Sequence, residues 1–228
     1  MTEKINVLDH GFVRLVESMG GDLSISRAAR VSYDAPPRGE DKGLINYLMK
    51  NSHTSPFEAV VMTFEIKCPI FIARQWHRHR TWSYNEESAR YTELPEEYYM
   101  PKPEHVGQQS KDNKQMRELG GFANASTARI IIDNHCAGAF VAYKGLLAAK
   151  VPRELARSVL PLATYTRFFG TVNLHNLFHF LSLRLDEKHA QYEIVEYAKA
   201  LLQLVAKVAP IATVAFEKDL GIYKEKLE

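Results

Sequence analysis

Apolar positions follow two rhythms along the chain. Between residues 60 and 68 the period is two: Val60, Met62, Phe64, Ile66 and Cys68 fall on one side, and Thr63, Glu65 and Lys67 on the other. That alternation predicts the clearest strand in the chain. Residues 12–19 (FVRLVESM) fit strand or helix, with strand preferred, and residues 164–172 are β-prone. Elsewhere the spacing is helical. Leu44, Ile45, Leu48 and Met49 follow Asp41, and Leu174, Leu177, Phe178, Leu181 and Leu185 form one stripe. Residues 125–149 are Ala-rich and helical, and a final helix is expected over about 188–208. Asp22 is placed to N-cap a helix through Arg30. Pro69 suits the first turn of a helix reaching about Arg80, and Pro152 opens a short one ending before Pro161. Pro36 and Pro37 mark a turn. From Pro95 to Gly121 the chain is polar, with three prolines and three glycines, and reads as a long loop. No repeat or low-complexity tract is visible. Helices and strands in irregular order predict α+β rather than βαβ units: one domain over 1–228, with a mixed or antiparallel sheet and several long helices.

Composition adds limits. The 228 residues are 46% hydrophobic and 25% charged, as in soluble globular proteins. No apolar run approaches the roughly 20 residues of a membrane span. The start, MTEKINVLDHGF, has no apolar leader core, so a cytoplasmic protein without membrane contact is expected. Two cysteines, Cys68 and Cys136, make no disulfide framework and read as buried thiols in a reducing compartment. A net charge of +2 gives no field for nucleic acid. The arginines are unevenly spread, however. Arg74, Arg78, Arg80 and Arg90 lie close together, and Arg153, Arg157, Arg167 and Arg184 follow. Arginine in place of lysine suits bidentate recognition of phosphate or carboxylate, although a solvated basic face has the same composition.

The densest polar segment, residues 75–91, reads QWHRHRTWSYNEESARY. Gln75, Arg78 and His79 sit near the end of the expected helix. Residues 81–85 then turn, and residues 86–90 follow. An anion site needs guanidinium forks, hydroxyls and free backbone N–H groups. Ser88, Ala89 and Arg90 offer all three, and Arg78 with Arg80 suits a second phosphate. The bland alternative is a surface loop in which Glu86 and Glu87 neutralise the arginines. On the helix after residue 173, His175, His179, Ser182 and Asp186 share the face opposite the leucine stripe. Histidines at i and i+4 fit a metal site completed by His77 or His79, but such pairs are more often polar-face residues. Two rivals remain: a nucleic-acid module stacking bases on Trp76, Trp82 and Tyr84, and a metal hydrolase built on His175 and His179. No GxGxxG fingerprint occurs, so a permanent Rossmann site for a nicotinamide is not expected.

Residues 78–86, RHRTWSYNE, match the RHRxxSxNE signature of flavin-dependent thymidylate synthases at every fixed position, and Ser88, Arg90 and Tyr91 extend the match. The segments HTSPF (53–57), PIFIARQ (69–75), PRELARSVLP (152–161), YTRFFGTVN (165–173), Arg184 and HAQ (189–191) stand in the family's order. The chain resembles that family over nearly its whole length, apart from the loop near 103–122 and the helix after it. The resemblance implies an α+β homotetramer with active sites shared between subunits. It also implies reductive methylation of dUMP, with methylenetetrahydrofolate as carbon donor, NADPH as reductant and FAD as cofactor, and with no resident metal. By resemblance, Ser55, Arg78, His79, Arg80, Glu86, Asn173, His175 and His179 meet FAD. Gln75, Trp76, His77, Arg78, Glu86, Glu87, Ser88, Ala89, Arg90, Arg157 and Arg184 line the dUMP site. Arg184 has the most direct catalytic role, and His53 shapes folate or nicotinamide access. Relatives carry Arg at the place of His175, and Asn or His at that of His179.

Overall fold

The computed structural model describes residues 3–223 except Tyr33, Ala35, Pro37, Arg38, Glu40 and Leu119. In chain order its strands are β1 (Lys4–Val7), β2 (Gly11–Met19), β3 (Val61–Pro69), β4 (Ser83–Glu86), β5 (Gln108–Gln109), β6 (Arg117–Glu118) and β7 (Tyr165–Asn173). The helices are α1 (Asp22–Val31), α2 (Lys42–Lys50), α3 (Ile70–Trp76), α4 (Ala125–Ala148), α5 (Arg153–Ala156), α6 (Leu174–Arg184), α7 (Tyr192–Val208) and α8 (Pro210–Asp219). Five strands pair in the order β1-β2-β3-β7-β4, antiparallel at every step. The fold is therefore α+β, and the sheet is antiparallel rather than mixed.

β3 lies at the centre for the reason its alternation gives. Met62, Phe64, Ile66 and Cys68 are fully buried and share a core with Leu177, Phe180 and Leu181 of α6 and Ile194, Tyr197 and Leu201 of α7. On the opposite face, Thr63 hydrogen-bonds Thr171 at 3.0 Å, and the buried Glu65 pairs with Arg14 and Arg167. A carboxylate there is tolerable only because cations meet it on both sides. Gly170 on β7 permits a close approach: a Cβ at that position would lie 3.1 Å from the Trp82 ring.

Local expectations held at several elements. Asp41 caps α2, accepting from the Leu44 N–H at 2.9 Å, and Asn173 caps α6, accepting from the Asn176 N–H at 2.9 Å. β2, α4, the short helix after Pro152 and the α6 stripe stand where expected. Others need correction. Asp22 does not cap its own helix; Gly21 holds that position. The buried Asp22 carboxylate reaches across to the start of α8, accepting from the N–H groups of Ile211 and Ala212 at 2.8 and 2.9 Å. Removing it would strand two donors at a cost of about 1–3 kcal/mol. α3 stops at Trp76, four residues short, because the Trp76 indole turns into the core and the chain continues in tighter i→i+3 turns through Arg78 and His79. The expected turn at 81–85 is largely β4, which pairs with β7 at the sheet edge. The last helix begins at Tyr192 rather than 188, and α8 follows it, opened by Pro210. The loop after Pro95 contains the small β5–β6 hairpin. The turn expected at Pro36 and Pro37 falls partly outside the described residues.

Candidate active site

The first half of the signature segment is held by aromatic packing, and the second half by the pairing of β4 with β7. Trp76 is fully buried, stacking on Phe180 at 4.9 Å between ring centres and meeting Trp82, Phe168 and Tyr197 edge-on. The Tyr84 hydroxyl lies 3.0 Å from the Trp76 carbonyl and 2.9 Å from that of His79, pinning both ends of the intervening turn. His77 packs its ring on Tyr84 and Phe168. The core thus uses Trp76 and His77 as anchors. The Trp76 indole is fully enclosed by these rings. Arg78 and Arg80 are left exposed on the outside of the turn.

His79 is drawn inward to α6. Its Nε2 accepts from the Arg184 Nε at 3.1 Å, joining residues 105 positions apart. A guanidinium only donates, so the imidazole is neutral with its proton on Nδ1. Burial, then the charges of Arg184 and His179, hold the His79 pKa down to about 4. Burial also lowers Arg184 from its ordinary value. His179 stands 6.4 Å from His79 between ring centres, and with His175, Ser52 and Thr54 it lines a cavity of about 180 Å³. Ser55 opens the 3₁₀ turn beside Thr54 and is exposed. His53 precedes it, exposed, with its ring edge-on to Tyr47. Asn173 uses its side-chain oxygen as the α6 cap, which leaves its amide N–H groups as the end available to a ligand.

A second cluster lies across β4. Glu86, Glu87, Ser88, Ala89 and Arg157 line a cavity of about 320 Å³ together with Thr166. Glu86 accepts from the Thr166 hydroxyl at 2.6 Å, and Glu87 approaches Arg167 at 3.6 Å. The glutamates therefore do not neutralise the signature arginines. Arg90 sits 4.0 Å from Glu154, with both side chains mostly exposed. Arg78, Arg80 and Arg157 form no ion pair among the described residues. Arg157 on the second cavity and the exposed Arg78 and Arg80 on the turn beside His79 are unpaired cations among the described residues, the kind of donor that a dinucleotide pyrophosphate and a nucleotide phosphate require. FAD fits that set. Arg153, by contrast, pairs with the exposed Glu93, as on a solvated face, and Arg167 is held by the buried Glu65 and by Glu87.

Among the described residues no three His, Cys, Asp or Glu side chains converge, and no helix is long and apolar enough to cross a membrane. Burial raises the thiol pKa of Cys68 well above its usual value and also raises that of Cys136, and neither lines either cavity. A Cys68→Ala/Cys136→Ala double variant is accordingly expected to keep its turnover to within several-fold in steady-state assays. Loss of turnover in stable, ligand-competent protein would point instead to a thiolate nucleophile.

Sequence reasoning did not find the His79–Arg184 contact or the second cavity's enclosure. A further cavity, about 610 Å³ and lined by Met116, Arg117, Gln191 and Tyr192 among others, contains none of the signature residues 78–86.

The family model for thymidylate synthase complementing protein (Thy1) matches residues 14–211. The chain is 50% identical over 218 residues to a flavin-dependent thymidylate synthase of Thermus thermophilus, covering 95% of this chain and 79% of that protein. It is 46% identical over 222 residues to another of that name from Treponema denticola, covering 96% and 83%. The crystal structure of PolB, a UMP/dUMP methylase from Streptomyces cacaoi bound with 5-Br dUMP, superposes with a TM-score of 0.84 at 37% identity, covering 94% of this chain and 97% of that one.

Proposed function

The chain belongs to the thymidylate synthase complementing protein (Thy1) family, and from that premise we propose that it is a flavin-dependent thymidylate synthase. It converts dUMP to dTMP with methylenetetrahydrofolate as carbon donor, NADPH as reductant and FAD as cofactor, and it acts in the cytoplasm as a single-domain subunit of a homotetramer. The observation that carries this reading is the bond between Arg184 and His79. It joins the signature segment to the end of α6 in one partly buried polar centre.

In this reading Arg78 and Arg80 hold the FAD pyrophosphate, and His79, Asn173, Ser55 and Glu86 direct polar atoms at the cofactor. His175 and His179 line the cavity beside it. An Arg in place of His175 would add a charge that this chain's imidazole does not supply. The chemistry FAD supplies when bound is two-electron hydride transfer, while the protein supplies position and charge. Ser88, Ala89, Arg90 and Arg157 take the dUMP phosphate, with Gln75, His77 and Glu87 around the nucleotide. Arg184, half-buried and fixed through His79, faces the uracil edge. There it stabilises negative charge developing on the carbonyl oxygens as the ring is activated for carbon transfer. His53 borders the approach used by folate and nicotinamide.

The two clusters occupy different regions of one chain, and each lacks what the other holds. Site sharing between subunits resolves that incompleteness. The long α4 supports association: it leaves Ile130, Ile131 and Val141 at least 60% exposed, an apolar face suited to burial against a second copy. Titrating apoprotein with FAD should quench flavin fluorescence saturably at one FAD per chain. Folded protein that shows no saturable quenching would remove the cofactor from this reading.

A further inference from the structure

The HAQ segment at 189–191 has no role in the site described above, yet its glutamine is bonded into it. The Gln191 side-chain oxygen accepts from the Gln75 amide, and the Gln191 amide donates to the Glu193 Oε2 at 2.8 Å. Glu193 is almost completely buried at 1% exposure. Its Oε1 accepts from the Arg117 guanidinium at 2.6 Å and the Tyr99 hydroxyl at 3.1 Å. Arg117 comes from β6 of the small hairpin, so four elements meet in one line: hairpin, α7, HAQ turn and α3.

The line has a fixed polarity. A carboxylate beside a guanidinium only accepts, and Arg117 and the Tyr99 hydroxyl both donate to it. Gln191 must therefore turn its NH₂ toward Glu193 and its carbonyl toward Gln75. Gln75 must in turn spend one N–H on Gln191. An isolated glutamine amide flips freely between two nearly equivalent orientations; this one cannot flip without opposing two donors or two acceptors. We infer that Gln191 and Glu193 are positioning residues that lock the Gln75 amide with its carbonyl oxygen free, so that it accepts a hydrogen bond from dUMP. This rests on the proposed placement of Gln75 at the dUMP site and extends it. The matching donor on the nucleotide is either the uracil imide N–H or the deoxyribose 3′-hydroxyl O–H.

The test is a double-mutant cycle on FAD-loaded protein, with dUMP dissociation constants from calorimetry. Gln191→Ala leaves Glu193 bonded to Arg117 and Tyr99, and it should weaken dUMP binding by about tenfold without changing FAD affinity. Gln75→Ala should weaken it at least as much, and adding Gln191→Ala to Gln75→Ala should cost nothing further, because Gln191 acts only through Gln75. Glu193→Gln is the complementary variant. Arg117 and Tyr99 hold its new carbonyl, its NH₂ turns Gln191 over, and Gln75 then presents NH₂ instead of oxygen, again weakening dUMP. N3-methyl-dUMP and 2′,3′-dideoxy-UMP separate the two donors: the analogue lacking the partner of Gln75 is the one whose affinity the Gln191 change no longer affects. Wild-type protein that binds dUMP while Gln191→Ala or a folded Glu193→Gln binds it equally well overturns the relay alone. So do single effects that multiply in the double variant. Wild-type protein that binds no dUMP overturns the reading of the site, and the relay with it.

Discussion

Replacing Arg184 with alanine should reduce dTMP formation to background while leaving a folded protein that still binds FAD. Arg184 is half-buried, and its Nε is bonded to the His79 Nε2, so the side chain is already positioned before a nucleotide arrives. Truncating a charged partner of a buried polar ligand costs roughly 2–5 kcal/mol, about 30-fold or more in dUMP affinity, and the loss of charge stabilisation in the transition state adds to that. The substitution also leaves a signature on its neighbour. His79 is held down to about 4 by burial first and by the Arg184 charge second. Its pKa should therefore rise in the variant but stay below its usual 6.5. The sign for stability follows from proton uptake. Between pH 6.5 and about 4 the unfolded chain binds a proton at His79 that the folded protein refuses, so the wild type loses stability as pH falls through that window. The variant should lose it over a narrower one. An NMR titration of His79 in both proteins measures the shift. An unchanged pKa, or normal dTMP formation, would separate Arg184 from the role given to it.

Mixed oligomers of Arg90→Ala and Arg184→Ala should recover activity that neither variant has alone. Within one chain, Arg184 meets His79 beside α6, whereas Arg90 stands near Glu154 beside the cavity lined by Ser88, Ala89 and Arg157. If one dUMP takes its phosphate contacts from one chain and its uracil contacts from another, a mixed pair contains one site with both arginines and one with neither. Co-expression with two tags and purification of doubly tagged oligomers should then give part of the wild-type rate. If both arginines served a site within one chain, every site would lack one of them. Doubly tagged, FAD-loaded oligomers that stay inactive would exclude the shared site.

Strong local signals were legible in the sequence. The alternation at 60–68 gave β3 because the buried face of a central strand tolerates no polar residue, and the start of α2 after Asp41 was visible because capping is decided within four residues. What failed was decided at a distance. Asp22 looks like the cap of α1, but its carboxylate is claimed by α8, 189 residues on. Residues 83–86 contain turn-formers, yet they become β4 because β7 offers an unpaired edge. Trp76 sits within a polar run whose spacing suggests a ligand site, and only tertiary packing reveals that its indole belongs to the core. The same division holds for the site. The arginine surplus pointed to phosphate chemistry, and the signature named the residues. Which arginines remain free, and that Arg184 reaches His79, depended on contacts that no window of sequence contains.

The folate product decides where the hydride comes from when the chain methylates dUMP. Carbon transfer delivers a methylene group, and turning it into a methyl group requires a hydride. If NADPH supplies that hydride through bound FAD, the folate is released without oxidation. Purified protein given dUMP, methylenetetrahydrofolate, NADPH and FAD should form dTMP and tetrahydrofolate in equal amounts, with one NADPH consumed for each. Formation of dTMP with dihydrofolate and no NADPH oxidation would contradict this, as would the absence of dTMP from folded, flavin-loaded protein.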